Sequence, residues 1–484
     1  MQIETRHTEG NLSRELKSRH LTMITIGGAI GTGLFLASGA TISTAGPGGA
    51  LTAYLVIGAM IYFLMTSLGE LSTYMPTSGS FETYATKFVD PALGFALGWN
   101  YWFGWAITIA VEISAGALLM KYWFPDTPSI LWSSLFLLLL FGLNLLSAKA
   151  YGESEFWFAS IKVVIIIIFL IVGTLMIFGI MGGQAIGIQN IMMEGAMFHG
   201  GLMSMIGIFM IAGFSFIGTE LVGVVAGESE NPERNVPKAI KSIFWRILVF
   251  YILTILIIGF VIPYNDPNLL NSSIDNITIS PFTLVFEKAG LALAAAVMNA
   301  VILTSVLSVG NSSIYAASRM LYAMTKSGKA PKVFGLTNTR GVPIYAVCAS
   351  ALVGMTCFLS SLYGDGTIYV WLLNCSALTG FITWVGIALS HYRFRKAFLA
   401  QGRDLNELPY KARWFPFGPI FSFVLCSAVI LGQNYQAFFK EAIDWHGIIV
   451  SYVGLPLFLL LYLGYKIGKK TKVIPLKEVD FTRE

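Results

Sequence analysis

The chain has 484 residues, of which 55% are hydrophobic and 12% charged, with a mean hydropathy of +0.71 and a formal net charge of +5. A soluble fold would need an implausibly large core to hold this balance, whereas a chain that crosses a bilayer many times requires it. So small a net charge gives no footprint for nucleic acid. The four cysteines, Cys348, Cys357, Cys375 and Cys426, lie in apolar stretches without metal-ligand or disulfide spacing, which excludes a zinc site or a disulfide framework.

The segment 1–20 is polar and charged, and the apolar run after it is too long and too glycine-rich for a cleaved signal; it reads as an N-terminal segment followed directly by a first span. Apolar windows of about 20 residues, the length that crosses a ~30 Å hydrocarbon core, recur twelve times. They lie near 21–44, 48–73, 92–122, 130–147, 155–181, 199–226, 239–263, 281–323, 343–362, 367–391, 415–434 and 446–466. The windows 92–122 and 281–323 are long enough to tilt or to project beyond the membrane. The transmembrane domain is thus 21–466, and 467–484 is a tail. An even number of spans puts both termini on one side. Basic residues crowd the span ends on that side: in the leader, at Lys87 and Lys149, around the loop after span six (Arg234, Lys238, Lys241, Arg246), after span eight (Arg319, Lys326, Lys329, Lys332, Arg340), after span ten and in the tail. The other side has Lys121, Lys288 and Lys440. Basic residues are retained in the cytoplasm, so both termini are expected there, with the protein in the plasma membrane.

Span one contains "MITIGGAIGTGLFLASGA", with Gly27, Gly28, Gly31, Gly33 and Gly39 in an otherwise apolar run. Glycine lets helices approach closely, but Gly28, Gly31 and Gly33 together invite an interruption, and in hydrocarbon broken backbone survives only where protein buries it or it lines a polar cavity. Span six repeats the feature in "GFSFIGTELVG". Breaks five spans apart match two five-helix repeats of opposite topology and point to a transporter's midplane site. A half-helix starting at a break presents free N–H groups to a carboxylate, and one stopping there presents carbonyls to an ammonium, which together suit an α-amino acid.

A charged residue within a span costs at least ~2.5–3.5 kcal/mol, and three stand out: Glu112, Lys162 and Glu220. Glu112 ends a stripe of Tyr101, Trp105, Thr108 and Glu112 on one face of span three and is a candidate partner for a basic substrate side chain or a buried structural acid. Lys162 either snorkels to the nearby end of span five or reaches inward as a proton-coupling group. Glu220 follows the break in span six, where it caps backbone N–H groups or exchanges a proton. Glu228, in "GESENPERNVPKAI", is a candidate internal gate or part of a solvated turn. Glu194, Asp266, Asp275, Glu441 and Asp444 give the opposite loops an acidic bias that would attract a cationic solute.

The segments "RHLTMITIGGAIGTGLF", "MTSLGELSTYMPTSGSF", "ALGWNYWFGWAITIAVE", "GFSFIGTELVGVVAGESENPERNVPKAI" and "WLLNCSALTGFITWVGIALSHYRFR" resemble the amino-acid permeases of the amino acid–polyamine–organocation superfamily, nearest the bacterial permeases for lysine. The resemblance implies an all-α integral membrane fold of twelve transmembrane helices, in which two inverted five-helix repeats with broken helices 1 and 6 are joined by two extra helices. It implies alternating access driven by protons, with lysine as substrate, no cofactor and no enzymatic activity. Carried onto this chain, Gly31, Thr32 and Gly33 would hold the substrate carboxylate, and carbonyls near Phe214, Ser215 and Ile217 the α-amine. Phe214 would cover the substrate as a gate, Glu220 would bind substrate or couple protons, and Lys162 would fill the space between spans one, five and eight where sodium-coupled relatives of the fold hold an ion. A permease or exchanger for another amino acid is the alternative within transport, and a non-transporting amino-acid sensor the alternative outside it; the short tails disfavour the sensor.

Overall fold

The computed structural model describes residues 16–27, 30–183, 185–270, 280–439, 443 and 445–482. Gly28, most of the N-terminal segment, Asp275, Lys440, Glu441 and Asp444 lie outside the described residues. The described residues of the apolar windows are largely helical, and seven of the helices are long and apolar enough to cross a membrane. They are Ala37–Tyr74, Pro91–Met120, Lys149–Ile177, Pro232–Val261, Leu293–Lys326, Ile344–Tyr363 and Asp365–Ala400. The chain is a multi-pass membrane protein. On Lys149–Ile177, Trp157, Ile161, Val164, Ile168 and Ile171 are exposed at spacings of four and three, so one whole face of large apolar side chains points outward, as lipid requires and water forbids.

Several windows are built differently from uninterrupted spans. Ala37–Tyr74 contains a kink at Gly46, whose φ of 74° and ψ of 168° are followed by Pro47, so the first two windows meet there at a sharp corner. The window 281–323 does not project as one long helix: Pro281–Lys288 ends in Gly290 at φ 77°, and a separate helix, Ala292–Lys326, begins after it. The window 199–226 is divided into Gly201–Gly207, Phe209–Phe214 and Leu221–Val225. Three α-helix starts carry a side-chain cap: Asp90 accepts the Ala92 N–H at 2.9 Å with Pro91 at the first helical position, Ser147 caps Ala148–Ile177 and Ser280 caps Pro281–Lys288.

Pro91–Met120 lies at the centre, packed chiefly against Ala292–Lys326 and Asp365–Ala400. At 30 residues it is about 45 Å long and carries one face of the site along its middle. Both described ends of the chain lie on one face of the bundle. Leu16 pairs with the backbone of Glu228 and Glu230, and Ile474 donates to the Val89 carbonyl at 2.9 Å. The tail runs on as an ordered strap: Gln401 donates to the Leu476 and Val479 carbonyls, Tyr74 Oη donates to the Phe481 carbonyl, and the Phe481 ring is buried among Tyr74, Phe88, Phe394 and Phe398.

Many basic residues read as loop charges are in fact buried and paired. Arg246 lies inside its span and donates to Thr219; Arg319 meets Glu228, Lys329 meets Glu82, and Arg395 clasps Glu70. On the opposite face Lys288 bonds Asp266 at 2.9 Å. Burial works against the Asp266 carboxylate, but hydrogen bonds from Lys288 and the Asn268 N–H hold it below the usual carboxylate range, so that part of the acidic bias is neutralised locally.

The corner at Gly46 gives a first test. A Cβ there would stand 1.8 Å from the Ala196 carbonyl oxygen, on a backbone that L side chains avoid. Gly46→Ala should cost about 1–3 kcal/mol of stability, read as a lower thermal midpoint of the purified protein in detergent, with Ser43→Ala as an unaffected control.

Candidate substrate site

The first interrupted helix stops at Gly27 and restarts at Thr32, after Gly31 in an extended conformation. Its broken ends are served from neighbouring helices. Lys162 Nζ donates to the Gly27 carbonyl at 2.7 Å and lies 3.9 Å from Glu155, whose two oxygens each accept from Ser308 Oγ at 2.8 Å. Lys162 is 0% exposed, so it does not snorkel. It ties the end of Ser18–Gly27 to Ala148–Ile177 and, through Glu155, to Ala292–Lys326. At the restart, Thr32 Oγ1 donates to Glu112 Oε1 at 3.0 Å, while Glu112 Oε2 has no hydrogen-bond partner among the described residues. The carboxyl of Glu112 therefore stands at the positive end of the second half-helix.

The second interruption begins after Phe214 and is a chain of tight turns. Phe216 N–H bonds the Gly213 carbonyl, Ile217 N–H the Phe214 carbonyl at 3.1 Å, and Gly218 takes φ 98° to let the chain re-enter a helix at Leu221. Glu220 does not cap Leu221–Val225; its side chain turns back to accept the Gly218 N–H at 3.1 Å and Trp384 Nε1 at 3.2 Å. Arg246, from the next long helix, donates to Thr219 within the same turns.

The two interruptions touch. A Cβ on Gly33 would lie 2.5 Å from Ser215 Cα and 2.9 Å from Ser215 N, a contact that only glycine permits. Ser215 is fixed from its other side by Tyr54 Oη at 2.9 Å. Two small voids of 10 Å³ each flank this contact. One is lined by Gly31, Thr32, Gly33, Trp105, Thr108, Glu112, Phe214, Ile217 and Val309; the other has Tyr101, Glu220 and the Ser376–Thr383 face of Asp365–Ala400. Trp105, Thr108 and Ile217 separate and line both. Each void has room for about one water, so the described conformation is closed around the two interruptions. Of the residues singled out from the sequence, all but Ser215 among the binding set line one void or the other; Ser215 instead forms the contact between the breaks.

On the face that holds both chain ends, Glu228 is buried rather than solvated. It accepts Tyr315 Oη at 2.7 Å and pairs with Arg319 at 3.1 Å; the Arg319 guanidinium covers the Tyr315 ring, and Tyr315 stacks on Tyr151 with centroids 4.0 Å apart. This plug of buried, paired side chains joins the turn after Leu221–Val225 to Ala292–Lys326 and Ala148–Ile177.

Two features of the site escaped sequence reasoning. Ser376, Thr379, Gly380 and Thr383 form a polar and small face at helical spacing within a quoted motif, with Ser376 Oγ 2.6 Å from Thr108 Oγ1 and Asn100 bonding Thr379 and Thr383. That spacing was the available signal. Arg246 reads in the sequence only as one of the basic residues around the loop after span six, at the start of the window 239–263, and its burial and its bond to Thr219 come from the fold.

A family model for amino acid permeases matches residues 20–477. The chain is 57% identical to "Lysine-specific permease LysP" of Escherichia coli (strain K12), with 99% of both chains covered. It is 53% identical to "Lysine-specific permease LysP" of Lactococcus lactis subsp. cremoris, covering 98% of this chain and 94% of that one, and 50% identical to "Histidine permease HisP" of the same bacterium, covering 98% and 99%.

The glycines at the first break should differ in kind. At Gly31 an added Cβ meets a side-chain methyl, Val309 Cγ2, at 2.8 Å, whereas at Gly33 it meets the backbone of Ser215. Gly31→Ala should leave the thermal midpoint within a few degrees and weaken substrate binding about tenfold, whereas Gly33→Ala should abolish binding and lower the midpoint, because it forces the two breaks apart. Calorimetric binding and thermal unfolding of both variants make the comparison.

Proposed function

The chain belongs to the amino acid permease family, and on that premise we propose that it is a secondary active importer of L-lysine, driven by protons and working by alternating access. The observation that carries this reading is the contact of Gly33 with Ser215 between two voids, since it brings the N–H groups of one half-helix and the carbonyl end of another to one point. In this reading the substrate carboxylate takes the first-turn N–H groups at Gly31, Thr32 and Gly33, and the α-amine takes the carbonyls near Phe214, Ser215 and Ile217. The Phe214 carbonyl keeps a lone pair beyond its bond from Ile217.

Glu112 then lies beside the substrate carboxylate, an unsuitable neighbour for the substrate's second ammonium. The side chain of lysine runs past Trp105 and Ile217 into the void of Tyr101 and Glu220, and Glu220 receives its ammonium. Lys162 is the proton-coupling group: its ammonium holds the Gly27 carbonyl, and loss of its proton loosens the first half-helix. Phe214 covers the substrate, and Glu228 with Arg319 is the cytoplasmic gate. Domains at 1–20, 21–466 and 467–484, twelve spans in two inverted repeats with two extra helices, and cytoplasmic termini in the plasma membrane complete the proposal. Its support is the pair of breaks, the shared face of both chain ends and the charge bias of that face.

The test is uptake of labelled lysine into proteoliposomes with an imposed pH gradient and a panel of unlabelled competitors. Accumulation that collapses with the gradient, and displacement by lysine at lower concentration than by histidine or norleucine, is expected. Better displacement by histidine would replace the substrate and keep the permease. Lys162→Met should lose gradient-driven accumulation and retain exchange. Glu220→Gln should weaken lysine about tenfold and norleucine little, whereas Glu112→Gln should weaken both alike.

A further inference from the structure

Beneath the Glu228–Arg319 cluster lies a cavity of 740 Å³ lined by residues that include Thr77, Glu82, Thr86, Lys87, Tyr322 and Lys326. Its position relative to the plug is fixed by chain neighbours: Gly227 precedes Glu228, and Tyr322 lies one turn beyond Arg319 on Ala292–Lys326. Glu82, on the short helix Ser80–Phe88, is buried in its wall. The carboxylate of Glu82 accepts Thr83 Oγ1 at 3.1 Å and Ser327 Oγ at 3.2 Å, and both Glu82 and Thr86 receive the Lys329 ammonium. Lys329 reaches this wall from a reversal just past its helix, where Gly328 takes φ 70° and the Lys329 N–H bonds the Met324 carbonyl at 2.7 Å.

The arrangement is a lysine side chain of the protein seated in a carboxylate-and-hydroxyl cradle beside a cavity. The geometry points to a second binding site, for the side-chain ammonium of a basic amino acid on its way to the cytoplasm, in which Lys329 is a tethered occupant that the leaving substrate displaces. This inference rests on the proposed transport of a cationic substrate. The cradle offers a buried carboxylate and a hydroxyl to an alkylammonium and makes no demand on an α-carboxylate, which distinguishes it from the site between the two breaks. Exchange of one primary ammonium for another leaves Glu82 paired throughout, so no buried charge is stranded when substrate arrives. Lys87 and Lys326 in the same lining repel a cation and keep its stay short, as a release station requires.

The site is tested in right-side-out and inside-out membrane vesicles, which present opposite faces of the protein to added solute. In wild type, 1,5-diaminopentane, which carries the ammonium and lacks the carboxylate, should compete with amino-acid transport when added to the cytoplasmic face and not when added to the outer face. Glu82→Gln should abolish that inhibition and raise the KM for lysine about tenfold from the cytoplasmic face, with the outer KM unchanged; Lys329→Met should lower the cytoplasmic KM several-fold. Equal KM shifts on both faces would make the pair purely structural and overturn the inference, and so would absence of cytoplasmic inhibition in wild type, whether or not the variants fold. If wild type carries another amino acid in place of lysine, the substrate reading fails, and diamine inhibition of that amino acid's transport still decides the cytoplasmic site.

Discussion

A helix broken inside hydrocarbon leaves backbone groups that no water can satisfy, and the arrangement around both interruptions answers that constraint. Gly27's carbonyl is held by an ammonium from one neighbouring helix, and Thr32 at the restart is held by a carboxyl from another. In the second interruption Gly218 is held by Glu220 and Thr219 by Arg246. At each break one charged group meets freed backbone, Lys162 at the Gly27 carbonyl and Glu220 at the Gly218 N–H, and a second holds the hydroxyl of a neighbouring threonine. The cost of burying the charge and the cost of breaking the helix offset each other. Removing either side of such a pair leaves the other stranded.

The same economy shapes the closed state. Trp105, Thr108 and Ile217 fill the space between two voids that together hold little more than two waters. An amino acid cannot enter this space without movement of at least one of these side chains or of the helices that bear them. The aromatic and charged cluster at Glu228, Arg319, Tyr315 and Tyr151 is buried and held by one carboxylate oxygen of Glu228, which takes both Tyr315 and Arg319, so separating its members strands charge unless new partners replace them.

Much of this was legible in the sequence because glycine and charge are unambiguous in an apolar run. Gly31 and Gly33 marked the first break, Gly218 and Glu220 the second, and the four-three-four spacing from Tyr101 to Glu112 placed a stripe that the fold turns inward. The inward aim of Lys162 was not legible, since its place near a span end allowed snorkelling equally well; only the Gly27 carbonyl, distant in sequence, decides it. Hydropathy hid other features. It merged Pro281–Lys288 with the following helix because Gly290 is a single residue in an apolar run, and it could not separate a buried Arg246 from its basic neighbours in the loop. Long-range pairing of this kind has no local signature. The Ser376–Thr383 face was readable by period but competed with the many small-residue faces that serve only to pack helices.

The strap formed by the last residues has a mechanical consequence. Phe481 is wedged between Tyr74, at the end of Ala37–Tyr74, and Phe398, near the end of Asp365–Ala400, while Arg393 holds both the Phe88 carbonyl and the Ile474 carbonyl of the strap. Three separate segments are thus splinted across one face by a stretch of chain whose own helix is the single turn Leu476–Glu478. Any tilting that opened the bundle on this face would have to swing Tyr74, Phe88 and Phe398 as a single lever, or else first peel the strap away and expose an aromatic nest to water.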